Sequence, residues 1–144
     1  MVRILSLSLF LFLAACGKFD THKPAFIDKA ILPYVMMYVN DKKAFQGTSA
    51  IRKIDIYFKS LYQEGYDGVC YYRGPWRYIE IDPTFWSHAS NAEKRVLVYH
   101  EMGHCDLNLD HDPGYSIMNP FGMAGNVFNA NRDYYLDLLF KKGR

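Results

Sequence analysis

The rhythm of apolar and polar positions changes along the chain, and each change marks an element. Ile4 to Leu13 is almost continuously apolar, broken only by Ser6 and Ser8 and preceded by Arg3. At about ten residues it is too short to cross a bilayer core of about 30 Å as a helix. A positive residue ahead of a short apolar run is instead the pattern of a secretory signal segment, assigned to residues 1–15. Gly17 to Ala25 is polar and carries Pro24, which reads as a tether. From Pro33 to Phe45 the spacing predicts a helix, with proline in its first turn, Val35, Met36 and Val39 as a partial apolar face, and Gln46-Gly47 as its end. Ile51 to Lys59 switches to period two: Ile54, Ile56 and Phe58 alternate with Lys53, Asp55 and Tyr57, as in a half-buried strand. The turn-rich Glu64 to Gly68 leads into a second strand, Val69 to Tyr72. Gly74-Pro75 is the next turn, and Trp76 to Asp82 is a third strand closed by Pro83. Ser90 and Glu93 form a capping box. It opens a helix through Val96, Leu97, His100, Glu101 and His104 to about Leu107. A Gly/Pro-rich loop spans Asp112 to Gly125. Asn131 is expected to cap a last helix, Arg132 to Lys142, with Tyr135, Leu138 and Leu139 on one face.

This order predicts an α+β domain over residues 26–144. Its small, mostly antiparallel sheet of about three strands packs on the capped helix, beside a C-terminal helix. Composition supports a packed core. Half of the 144 residues are apolar and 17% are aromatic, unlike a disordered chain. Charge removes one class of partner: 17 basic residues face 15 acidic ones with no run of one sign, so there is no electrostatic footprint for nucleic acid.

The chemistry concentrates on the capped helix. His100-Glu101-Met102-Gly103-His104 fits HExxH. Residues four apart on a helix share a face and lie about 6 Å apart, so both imidazoles reach one Zn²⁺. Glu101 follows the first ligand, where it can take a proton from a metal-bound water. Zinc hydrolases supply three protein ligands and leave one position open. No Glu follows Glu101, which excludes the class with a downstream Glu ligand; Asp110 and His111 are the nearby candidates. His22 and His88 read as bystanders.

The block from His100 to Pro120 resembles the metzincin clan of zinc peptidases, whose pattern is HExxHxxGxxH followed by a Met-containing turn. His100, Glu101 and His104 match directly, and Gly103 matches the HExGH form. Leu107 to His111 resembles the Leu-Gly-Leu-Asp-His stretch of the matrixin branch, and Ser116-Ile117-Met118-Asn119-Pro120 resembles the Met-turn. The resemblance implies a minimal zincin-like fold, one catalytic Zn²⁺, Glu101 as general base, and Met118 as an apolar floor under the metal. Literal spacing puts Asp110 at the third-ligand position and Leu107 at the glycine. One inserted residue puts His111 and Asn108 there. Asn accepts left-handed backbone angles better than Leu, which favours His111, with Asp110 as the alternative. The clan also implies that the strand before the helix, here Trp76 to Asp82, offers its edge to an extended peptide.

The N-terminus carries a second resemblance. Leu13-Ala14-Ala15-Cys16 is similar to the lipobox of bacterial lipoproteins, which implies cleavage before Cys16, acylation of Cys16, and a membrane-anchored chain in the cell envelope. Gly17 rather than Asp after that Cys points to the outer membrane. Two cysteines then remain in an oxidising compartment, and a Cys70–Cys105 disulfide is expected. The alternatives are two buried thiols, or Cys105 as a metal ligand; residue 105 sits about 100° round the helix from His104, which disfavours the last. The combined expectation is a lipid-anchored zinc metallopeptidase acting on peptide or protein. A non-catalytic zinc-binding envelope lipoprotein is the alternative, and cell-wall peptide is a possible amide substrate.

Overall fold

The structure, a computed structural model, describes residues 25–73 and 75–143. The signal segment, the Cys16 lipid site and nearly all of the tether lie outside the described residues, as does His22. The described residues fold as α+β, with five helices and one three-stranded mixed sheet. Helix α1 (Leu32–Gln46) has proline in its first turn, and Gly47 ends it with a left-handed φ of 74°, its N–H bonded to the Lys43 carbonyl. The face it buries carries Val35, Tyr38 and Lys42, while Met36 is exposed, so the expected apolar stripe is only partly right.

Strands β1 (Asp55–Phe58), β2 (Gly68–Arg73) and β3 (Trp76–Ile81) lie in the order β1-β3-β2. The β2–β3 pair is antiparallel, with Cys70 opposite Ile79, but β1–β3 is parallel, with Ile56 opposite Ile79. Two expectations are corrected. The sheet is mixed rather than mostly antiparallel, and β3 is the central strand, paired on both sides. The segment Trp76 to Asp82 therefore has no free edge. Residues near Ile27 bridge to Ile56 on the far side of β1, and β2 is the edge without a strand partner among the described residues.

One face of the sheet, with Ile56, Ile79 and Ile81, enters the core. On the other, Tyr57, Tyr78 and Tyr71 stack across the three strands with centroids 6.1 and 4.9 Å apart. Helix α2 (Pro83–His88) was not expected; it starts at Pro83, which the sequence offered only as the stop of the third strand. Its cap is Asp82, whose carboxylate accepts from the backbone N–H of Leu61, Thr84 and Phe85. Helix α3 (Asn91–Cys105) has the expected capping box: Ser90 N–H donates to Glu93 at 2.7 Å and Glu93 N–H to Ser90 Oγ at 3.3 Å. It packs against β2, β3, α1 and α4 (Gly125–Ala130), and α1 packs on α5 (Arg132–Lys142). Helix α4 was not expected. Asn131 stands between α4 and α5 and makes no side-chain cap: its backbone, at φ −136° and ψ 38°, lacks the extended geometry that Asp82 and Ser90 have as caps, and its N–H closes α4 on the Phe128 carbonyl.

Two polar clusters tie the helices together. Buried Asp106, at the end of α3, receives Lys42 Nζ at 2.7 Å, Tyr38 OH at 2.9 Å and Arg52 N–H at 2.9 Å. Asp41 of α1 receives Arg95 and Arg132, each at 2.5 Å, and Tyr99 OH at 2.6 Å.

Candidate metal centre

Helix α3 presents His100 and His104 one turn apart. After Cys105 the helix ends, and Asn108 takes a φ of 57°, the sole positive value outside glycine among the described residues. That turn, anticipated from the inserted residue, brings His111 back over the helix. The ligand atoms of His100, His104 and His111 lie within 4.8 Å of one another, a group that can hold a metal ion. Nε2 of His100 is 3.1 Å from that of His104 and 3.3 Å from that of His111. Two nitrogens on a tetrahedral ion with bonds of about 2.0–2.1 Å would be about 3.3–3.4 Å apart. Asp110, exposed, is not in the group.

The proton positions fit as well. Nδ1 of His100 lies 2.7 Å from the Ile117 carbonyl, and Nδ1 of His104 is 2.7 Å from the Leu109 carbonyl. Each Nδ1 therefore carries the proton, and each Nε2 is a bare lone pair. Lone pairs this close repel unless a cation lies between them. Burial holds His100 down to about 4, helped by His104 and His111 and opposed by the Ile117 carbonyl. Burial also lowers His104. Both are neutral at pH 7, the form that binds metal.

Glu101 projects from the same helix into the cleft and is 3% exposed. Burial pushes its carboxyl up to about 8, against the pull of the Cys70 backbone N–H. It makes no ion pair among the described residues; a cation held by the histidines would lower it again. Gly68 makes room for it: a Cβ there would stand 3.1 Å from Glu101 Cγ and Oε1 and from Leu97 Cδ1.

Met118 is buried under the helix, and the carbonyl before it accepts from His100. A Cβ on Gly103 would collide with Met118 Sδ, so the glycine of the HExGH pattern lets the sulfur lie flat on the helix. Gly103→Ala is expected to lower stability by roughly 1–2 kcal/mol net, overpacking outweighing the gain in helix propensity; urea unfolding checks it.

Cys70 and Cys105 form the expected disulfide, with Cα atoms 5.7 Å apart. It fits an oxidising, extracytoplasmic setting. It also ties β2 to the metal helix, so the cysteine pattern already held the clue to which strand lines the cleft. Three further residues had no sequence signal. Tyr72 OH donates to the His104 carbonyl, Arg77 to the Cys105 carbonyl (2.6 Å) and Asn108 Oδ1 (2.7 Å), and Arg52 Nε to the Asp106 carbonyl (2.8 Å). Together they close the end of α3 and hold the turn that delivers His111. His88 bonds locally to Thr84, and Tyr115 is exposed in its loop. The three histidines and Glu101 line a cavity of about 870 Å³ between β2 and the Asn119–Ala124 segment.

No family model, curated protein or solved structure matches the chain. Among the described residues, no helix is long and apolar enough to cross a membrane.

Proposed function

We propose that this chain is a zinc-dependent peptidase of metzincin type, anchored in the cell envelope through lipid on Cys16. The observation that carries the reading is that the three histidines line an open cavity which also holds the Glu101 carboxyl, a group in no ion pair among the described residues. A purely structural zinc site closes its fourth position and needs no base. Zinc bound by His100, His104 and His111 would lower the pKa of a bound water towards about 7 and polarise a carbonyl. Glu101 takes the proton from the attacking water and returns it to the leaving amine, a double role suited to a carboxyl that follows the first ligand and shares its cavity. Met118 and Ile117 floor the site and orient His100. An extended peptide adds to the outer edge of β2, the strand that lines the cleft, rather than to β3. The lipid anchor rests on Arg3, the apolar run and Leu13 to Cys16, and the disulfide is in keeping with export.

Glu101→Gln keeps the shape of the side chain and removes the base. It is expected to retain zinc and to lose about 10²–10⁴-fold in turnover of a mixed peptide library. Equal cleavage by both proteins refutes the catalytic role. Stoichiometric zinc with no cleavage by the unaltered chain leaves a zinc-binding envelope lipoprotein.

A further inference from the structure

A second cavity, of about 560 Å³, adjoins the metal cleft at the Gly68 end of β2 and shares Tyr66, Asp67, Phe85 and Glu93 with it. Tyr62, Tyr66 and Phe85 give it aromatic walls, and both tyrosines are exposed. Of its carboxylates, two are committed to the fold: Asp82 caps α2, and Glu93 closes the capping box of α3. Asp67 makes no side-chain hydrogen bond or ion pair among the described residues; only its backbone carbonyl is used, by Asp82 N–H at 2.8 Å. Burial, together with the charge of Asp82, pushes the Asp67 carboxyl up, as expected of an acid lacking a counter-charge. The wider charge distribution agrees. The chain has 17 Lys and Arg and a net charge of +2, yet no Lys or Arg lines either cavity. His88 also lines the smaller cavity, where its ring bonds to Ser87 and Thr84, and the Asp67 carboxylate is left facing no lysine or arginine, an arrangement that favours a cationic ligand.

Position gives the rest. Glu93 precedes His100 by two helical turns, about 10 Å along the axis. An extended peptide covers that distance in about three residues. A peptide pairing antiparallel with β2 enters over Arg73 and leaves over Gly68, so this cavity meets residues on the C-terminal side of the bond cut at the metal. We propose that the cavity is a specificity subsite for a lysine or arginine side chain, roughly two to four residues C-terminal to the scissile bond. There Asp67 pairs with the charge and the rings of Tyr62 and Tyr66 cover the stem. The subsite reading rests on the peptidase reading, and the test separates them.

Quenched-fluorescence peptides with Lys, Arg, norleucine or Glu at each downstream position are cleaved by the zinc-loaded full chain. The same peptides, labelled, are titrated by fluorescence polarisation against the Glu101→Gln variant, where binding is read without turnover. Lys or Arg at one position is expected to raise kcat/KM, and to tighten binding, roughly tenfold over norleucine. Asp67→Asn is expected to bring the ratio below about threefold, Asp67→Glu to keep it, and Asp67→Lys to turn the preference towards Glu. Cleavage with no basic preference overturns the subsite and leaves the peptidase. No cleavage at all overturns the peptidase, and the binding ratio then decides the subsite: equal affinity for Lys and norleucine peptides sinks it, and a preference abolished by Asp67→Asn supports it. A preference that survives in folded Asp67→Asn removes Asp67 from the proposal.

Discussion

His111→Ala is expected to weaken zinc binding by about 10²–10³-fold, whereas Asp110→Ala leaves it within about threefold. The magnitude follows from sharing about 10–16 kcal/mol of zinc affinity among four ligand positions, at 1.4 kcal/mol per factor of ten. The contrast follows from geometry. Asp110 and His111 are adjacent in sequence, but Asn108 at φ 57° turns only the second towards His100 and His104. Competition against a chromophoric chelator measures both variants. Loss of zinc from the Asp110 variant alone would reverse the assignment. Because His111 is exposed, removing it does not empty the core, and the fold is expected to survive the change.

The largest expected loss of stability lies on the far side of the same helix. Asp106→Ala is expected to cost about 3–5 kcal/mol, because Lys42 would be left buried and charged without its partner. For a domain of this size that is a fall in Tm of roughly 10–20 °C. Asp106 stands at the C-terminal end of α3, where a negative charge opposes the helix dipole, so only its three donors make the position tolerable. Thermal unfolding followed by circular dichroism measures the effect. The paired change Lys42→Met with Asp106→Leu removes both charges and is expected to recover most of the loss. Equal destabilisation by the single and paired variants would show that the ion pair is not the cause.

What the sequence disclosed about this protein divides by range. Local signals read well: the Ser90–Glu93 box, the proline and glycine bounding α1, and the left-handed Asn108 were visible because each acts within a few residues. The HExxH spacing and the return of His111 were legible for the same reason. Strand order was not. Alternation looks the same in a central and an edge strand, and nothing local reports that β3 inserts between β1 and β2. Asp82-Pro83 shows two local meanings in competition. It was read as the stop of a strand, while the same pair is also an N-cap followed by a first-turn proline. Asn131 failed differently: the backbone angles set by the junction with α4 are not those of an N-cap, and the residue type alone does not report them.

Helix α3 does not close itself with a glycine. Its last carbonyls are taken by Tyr72, Arg77 and Arg52, which stand 32, 28 and 54 residues away in sequence. The ligand-bearing stretch is therefore not a portable module. Cut out as a fragment, it would keep its histidine spacing and lose the scaffold that turns the third imidazole inward. The centre therefore depends on contacts whose formation closes long loops, and on the sheet that supplies Tyr72 and Arg77. An unfolded chain carries the histidine spacing without the arrangement that could hold a metal.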